Sequence, residues 1–248
     1  MLRLVKACLI CLALWTTAQA EEVRVAVAAN FAIPMKLLMS RFEKETGHKA
    51  LLSIGSTGKF YAQIKSGAPF DVFLAADDKT PAWLEKEGDA VPGSRFTYAT
   101  GKLVLWSAKP DMVDAKGEVL KKNEFKNIAL AAPKLAPYGA AAIETMTKLG
   151  LLTSLAPKFV QGESIGHAFS FVSTGNAELG FVALSQVYEG GKLKGGSGWI
   201  VPEHLHSPLR QDAVQLTRAK NNKAAAALLG YLKTDKAKAV MRAYGYEV

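Results

Sequence analysis

Four stretches of the sequence share an arrangement that could do chemistry on an anion: an apolar strand-like run, a small or hydroxyl-bearing residue, then a helix-like run. They are VAVAAN before FAIPMKLL, LLSIGST before GKFYAQI, IALAAPKLAPYG before AAAIETM, and GES before IGHAFSFV. A helix leaves its first backbone N–H groups without intrahelical acceptors and carries partial positive charge at that end. Each stretch therefore offers donors to an anion. Asn30, Ser56, Thr57 and Ser164 add polar side chains at or just before those starts. Each of these residue types also caps helices for purely structural reasons, so one alone carries no function. Four starts pointing into one cleft make a neutral, donor-rich nest suited to a small anion.

Other chemistries fit the residues less well. Gly55-Ser56-Thr57-Gly58-Lys59 has the look of a nucleotide phosphate loop, which needs Gly-x-x-x-x-Gly-Lys followed by Ser or Thr. The first glycine position is Ser53 and the residue after Lys59 is Phe60, so two fixed positions fail and Lys59 is expected in solvent. The four histidines, His48, His167, His204 and His206, lack metal-ligand spacing, although His204 and His206 in a Pro-flanked loop form a candidate pair against a solvated loop. The paired carboxylates Asp77-Asp78 and Glu43/Glu45 read as solvated. An enzyme acting through Ser56 or Thr57 would need a base nearby, for which His167 is the one candidate.

The elements that must position the four starts follow from the apolar pattern. Residues 1–20, MLRLVKACLICLALWTTAQA, read as a cleaved secretory signal: basic at Arg3 and Lys6, apolar from Ala7 to Trp15, and small-x-small at Ala18-Gln19-Ala20. Both cysteines, Cys8 and Cys11, fall inside it, which leaves a mature chain with neither disulfide nor thiol nucleophile. Lys and Arg number 31 against 22 Asp and Glu, a formal net charge of +9 spread without a dense cluster. That excess steers anions mildly and gives no stripe for nucleic acid.

Strands are expected at Val23 to Ala29, Ala50 to Ile54 and Asp71 to Ala75, with helices over Phe31 to Thr46, Gly58 to Ser66 and Thr80 to Glu87. A long extended stretch from Phe96 to Trp106 follows. A second block then repeats the order: strand Asn127 to Ala131, helix Ala140 to Leu149, strand Phe159-Val160, helix Ile165 to Ser173 and strand Leu179 to Ala183. KSGAPFDVFLA and STGNAELGFVA echo one another at the third strand of each block. Beyond the glycine-rich loop around Gly195 to Gly198, Ala213 to Leu216 reads as an extended return, and helices are expected over Lys223 to Leu232 and Asp235 to Arg242. The pattern implies an α/β protein of two lobes joined by two crossing strands, with a ligand cleft outside the strand C-termini. The division expected is 21–100 for the first part of lobe I, 101–212 for lobe II, and 213–248 for the return crossing and the last helices of lobe I.

AVAANF (26–31), GSTGKFYAQIKSGAPFDVFLAAD (55–77), APYGAAAIETMTKLG (136–150) and GNAELGFVALSQV (175–187) resemble, in the same order over essentially the whole mature chain, the periplasmic molybdate-binding proteins of bacterial ABC importers. The resemblance implies the type II periplasmic-binding-protein fold and a non-enzymatic, monomeric periplasmic protein. It implies a bound molybdate or tungstate, no cofactor, no nucleic acid, and delivery to a membrane permease. It places the oxyanion contacts on Asn30, Thr57 (with Ser56 beside it), Tyr138 and Ile165, the last two through backbone amides. These are contacts to the molybdate oxygens and not direct metal ligands. The family often has a tyrosine after the LGFV strand, where this chain has Ala183; the Tyr138 phenol is the expected replacement. Such an anion is a bare acceptor at neutral pH. Sulfate shares that property, and a small carboxylate or an enzyme using the same cleft are the other readings.

Overall fold

The computed structural model describes residues 20–248, so the signal read over residues 1–20 lies almost wholly outside the described residues. The first half of the chain runs β1 (Glu22–Ala28), α1 (Ala32–Thr46), β2 (Lys49–Gly55), α2 (Thr57–Lys65), β3 (Val72–Leu74), α3 (Lys79–Lys86), β4 (Phe96–Gly101) and β5 (Leu103–Ser107). It continues through α4 (Val119–Lys122), β6 (Ile128–Ala131), α5 (Pro137–Lys148), α6 (Leu152–Leu155), β7 (Phe159–Gly162), α7 (Ile165–Ser173), β8 (Leu179–Ala183) and α8 (Leu184–Val187). The last part holds β9 (Tyr188–Glu189), β10 (Lys192–Leu193), β11 (Ser197–Ile200), β12 (Leu209–Gln215), α9 (Lys223–Leu232) and α10 (Asp235–Ala243).

The protein is a two-lobed α/β molecule. Its two five-stranded sheets have the orders β2-β1-β3-β12-β4 and β11-β5-β8-β6-β7. In the first, β1 lies between β2 and β3 and pairs in parallel with both; in the second, β6 lies between β7 and β8 and pairs in parallel with both. Parallel neighbours need long crossovers, here helices, and the two blocks solve this alike apart from the short α6 ahead of β7. The units β1-α1-β2-α2-β3 and β6-α5-β7-α7-β8 give the orders β2-β1-β3 and β7-β6-β8, so the repeat read from the sequence is a repeat of topology. In each, the chain switches direction across the central strand, and the helix starts around that point face outward from the strand ends.

Local chemistry explains the elements. The run VAVA at the end of β1 is buried on both faces, as a central parallel strand requires. Helix α1 buries Met35, Leu38, Met39 and Phe42 on one stripe and stops at Gly47, whose φ of 76° is left-handed. Helix α5 begins at Pro137, earlier than the expected Ala140, because a proline at the first helical position gives up an N–H that had no partner and arrives with helical φ. The expected extended stretch from Phe96 to Trp106 divides at Lys102 into β4 and β5, which belong to different sheets. The return strand begins earlier than expected, at Leu209, where it already pairs with Gly101 of β4. Ser197–Ile200, read with the glycine-rich loop, forms the edge strand β11 on β5.

Three apolar clusters hold this frame. One fills the second lobe around Leu103, Leu105, Ile128, Leu130 and Phe181; the other two cover opposite faces of the first sheet. On one of those faces Phe31, Phe42, Leu228 and Met241 pack α1, α9 and α10 against the strands, and on the other Phe60, Phe73 and Leu84 seat α2 and α3. Ala28, Ala29 and Ala76, at strand ends of the first sheet, belong to the apolar cluster of the second lobe. Their single methyl groups let the lobes meet closely.

Candidate functional site

Where the strand ends of the two lobes face each other lies a small cavity of about 190 Å3 including its mouth. Asn30, Ser56, Thr57, Tyr138 and Ile165 line it, and the rest of its wall is Ala, Gly and Pro. The four site residues proposed from the sequence thus come together with Ser56, although Asn30 and Ile165 belong to different lobes. The wall contains no Asp, Glu, Lys, Arg or His. The arrangement is a neutral enclosure at four helix starts: Asn30 lies in the short 3-10 turn leading into α1, Thr57 opens α2, Tyr138 is in the first turn of α5, and Ile165 opens α7.

Two buried polar atoms here have no partner in the protein: Ser56 Oγ and Asn30 Oδ1. Burying a hydroxyl without a partner is costly, so an unpaired one in a cavity wall points to a ligand. Ser56 precedes α2 with extended backbone angles, yet its side chain makes no capping bond, which leaves its O–H for the cavity. Thr57 is held differently. Its Oγ1 accepts from the Ala76 backbone N–H at 2.9 Å, which orients the hydroxyl and leaves its proton to donate. Ser164 spends its side chain as an ordinary cap, accepting from the His167 N–H at 3.3 Å. The Ile165 amide, as the first residue of α7, has no intrahelical acceptor. The Tyr138 amide, in the first turn of α5, is placed in the same way.

Behind the cavity a buried hydrogen-bond net ties both lobes to the crossing strands. Asn30 Nδ2 lies 2.8 Å from Gln211 Oε1 and 3.0 Å from the Tyr246 hydroxyl. Gln211 Nε2 is 3.1 Å from the Tyr138 hydroxyl, and Tyr98 O–H reaches both Gln211 Oε1 and the Ala75 carbonyl at 2.9 Å. Ser185 Oγ donates to the Asn30 carbonyl at 2.7 Å. Burial, ahead of neighbouring groups, pushes the Tyr98 and Tyr138 phenols well above their ordinary value and that of Tyr246 up to about 12. All three phenols remain protonated at neutral pH.

The lobes are in contact across the cleft. The Gly58 N–H, in the first turn of α2, donates to the Leu135 carbonyl at 2.9 Å, and a Cβ added at Gly58 would lie 3.1 Å from the Leu135 Cα. Lys59, expected in solvent, reaches Glu163 of the other lobe at 2.5 Å, with side-chain exposures of 42% and 58%. Both ends stay wet, and each charge cancels the other next to the site.

The remaining candidates lie elsewhere. Ala183 is buried at the end of β8, its N–H bound to Gln186 Oε1 at 2.9 Å, and is not part of the cavity wall. His167 is exposed on α7 and also outside the wall. His206 turns Nδ1 to the Ser207 carbonyl while His204 is exposed, and no group of three or more His, Cys, Asp or Glu among the described residues could hold a metal ion. Asp77 and Asp78, expected in solvent, line a wider outer cleft that adjoins the cavity at Thr57 and Ala76. Burial, partly offset by hydrogen bonds from Thr80, raises the Asp77 carboxyl above the ordinary value. Sequence reasoning missed Gln211, Tyr246, Tyr98 and Ser185; a buried polar residue in a strand or tail carries no local signal of what it will face.

Comparison with known proteins places this geometry. The family model of bacterial extracellular solute-binding proteins matches residues 23–247. The molybdate-binding protein ModA of Azotobacter vinelandii is 65% identical over 229 residues, covering 92% of this chain and 91% of that protein. The molybdate-binding protein ModA of Rhodobacter capsulatus is 54% identical over 229 residues, with 92% and 89% covered. Among solved structures, a periplasmic molybdate-binding protein of Azotobacter vinelandii superposes with a TM-score of 0.89 at 43% identity, over 91% of this chain and 99% of that one.

Proposed function

The chain belongs to the bacterial extracellular solute-binding proteins, and we propose that within that family it binds molybdate in the periplasm and presents it to the membrane permease of an ABC importer. It is a binding protein and not an enzyme. The observation that carries this reading is the neutral cavity at four helix starts, with the Ser56 hydroxyl buried and unpartnered in its wall. A tetrahedral oxyanion in its fully deprotonated form only accepts hydrogen bonds, and this wall is built to donate them. In our reading Asn30, Ser56 and Thr57 donate from side chains, and Tyr138 and Ile165 from backbone amides. Tungstate, with the same charge and shape, is the second ligand we propose. Charge neutralisation comes from oriented dipoles in a place shielded from water, where they act more strongly than in solvent. We further propose that the protein works as a monomer, takes no cofactor and no nucleic acid, and reaches the periplasm through the leader at residues 1–20.

A thermal-shift panel with molybdate, tungstate, sulfate, phosphate and small carboxylates tests this. A ligand at 100 times its dissociation constant stabilises the folded protein by about 2.7 kcal/mol. Shifts with molybdate and tungstate well above those with the other anions are expected. No shift with molybdate would overturn the reading.

A further inference from the structure

The net behind the cavity contains two carboxamides in contact, and their relative polarity is not free. The oxygen and nitrogen of a carboxamide are isosteric, so the atomic positions define the net while the proton count decides which end lies where. In one polarity Asn30 presents Nδ2 to Gln211 Oε1 and to Tyr246, and Asn30 Oδ1 is left buried without a donor. In the same polarity Tyr98, with a single proton, faces two acceptors, the Ala75 carbonyl and Gln211 Oε1. Neither Gln211 nor Tyr246 lines the cavity, whereas Asn30 does. The unpaired end of the Asn30 amide is therefore the end on the cavity side, and an oxygen there would repel an anion.

Turning both amides gives Asn30 Oδ1 its donors, leaves Tyr98 a single acceptor, and makes Nδ2 the end of the Asn30 amide that waits for a partner. Gln211 Nε2 then donates to Tyr98 and to Asn30 Oδ1, Tyr98 keeps its proton for the Ala75 carbonyl, and the Tyr138 hydroxyl donates to Gln211 Oε1. Tyr246 turns its one proton from the Asn30 carbonyl and Ser185 Oγ, each 3.0 Å away, to Asn30 Oδ1, while Ser185 continues to supply the Asn30 carbonyl. Asn30 Nδ2 now faces the cavity as a donor. Turning one amide alone would set two oxygens or two nitrogens against each other at 2.8 Å, so the pair turns together or not at all.

We propose that Gln211 is a positioning residue for the anion site: through Tyr98 and Ala75 it fixes the amide polarity that aims Asn30 Nδ2 into the cavity and draws the Tyr138 O–H away from it. This rests on the oxyanion reading above and adds a specific division of labour. Gln211 never touches the ligand. Fully buried, it reads the polarity of the Ala75 carbonyl in the first lobe and passes it to Asn30 in that lobe and Tyr138 in the other. Tyr138 then meets the anion through its backbone amide, and its phenol is committed to the net.

The experiment uses the mature protein, labelled with 15N, and molybdate as the probe. The side-chain NH2 resonances of Asn30 and Gln211 are identified by their loss in Asn30→Ala and Gln211→Met. Saturating wild type with molybdate is expected to shift the Asn30 pair strongly and the Gln211 pair little. In Gln211→Met, which keeps the shape and removes the hydrogen bonds, calorimetric affinity is expected to fall about tenfold, the scale of one misdirected charge-assisted bond. If Gln211→Met does not fold, the wild-type resonances decide the matter alone. Asn30 resonances that stay put in saturated wild type, or wild-type affinity in a folded Gln211→Met, would overturn the assignment while leaving molybdate binding intact. A wild type that does not bind molybdate overturns the functional reading instead.

Discussion

The two lobes build their halves of the cavity from the same strand and helix order, and yet they face the cavity with different material. In the first lobe the helix starts carry Asn30, Ser56 and Thr57, whose side chains are polar and buried. In the second they carry Tyr138 and Ile165, after Pro137 and Ser164, and what they offer the cavity is backbone N–H. Side-chain donors can be deleted one atom at a time; backbone donors survive almost any substitution. The first lobe thus holds the part of the site that mutation can tune, and the second the part that only proline can remove.

Four experiments would break or sharpen that contrast. The largest effect is expected from Asn30→Asp, which keeps the shape and replaces a donor with a buried negative charge facing the anion. Its cost should be about 3 to 5 kcal/mol of molybdate binding, the range for an uncompensated buried charge. Calorimetry showing less than a tenfold loss would remove Asn30 from the site. Next come Ser56→Ala and Thr57→Ala, each expected to cost roughly 1 to 3 kcal/mol as a lost hydrogen bond to a charged acceptor. Thr57→Ser should restore most of its share, because the hydroxyl returns.

The sharpest comparison is within one residue of the second lobe. Ile165 is the first position of α7 and follows Ser164 in extended conformation, so proline fits there without breaking the helix. Ile165→Pro should cost roughly 1 to 2 kcal/mol of binding for the lost N–H, whereas Ile165→Val, which keeps it, should cost less than about 1. Equal losses in the two variants would mean that the side chain, and not the backbone, is what matters. The smallest effect is expected from Lys59→Ala. Its partner Glu163 is open to solvent, so any change in affinity should be less than in the preceding variants and should vanish as salt is raised. With Tyr138 as the one titratable group in the wall, and burial holding its phenol protonated, affinity should also stay level from mildly acid to mildly alkaline pH.

Much of the frame was legible because it follows from periodicity. Short apolar runs alternating with amphipathic ones announce parallel sheets, and the repeat of that order announces two lobes. The helix starts were legible for the same reason, since a polar or small residue between two apolar runs of different period has few other places to be. What stayed hidden depends on distance along the chain. Gln211 and Tyr246 meet Asn30 across sequence separations of 181 and 216 residues. Their own neighbourhoods, QDAVQL and YGYEV, read as an ordinary strand and an ordinary tail. Ser56 and Thr57 show a finer limit. Both are acceptable caps, and only the folded chain reveals that Thr57 is anchored by the Ala76 amide while Ser56 is left unspent.

The bond from the Gly58 N–H to the Leu135 carbonyl has a use beyond holding the lobes together. It crosses the cleft, and opening the lobes exposes that amide to water without unfolding either of them. Its deuterium exchange is therefore a clock for opening. In the closed protein the Gly58 amide exchanges only as often as the cleft parts, whereas amides inside β1 wait for larger unfolding. A bound anion that slows Gly58 and leaves the β1 amides unchanged would measure how strongly the ligand suppresses opening. Under conditions where every opening leads to exchange, the same rate sets an upper bound on how fast the protein can release its cargo unaided.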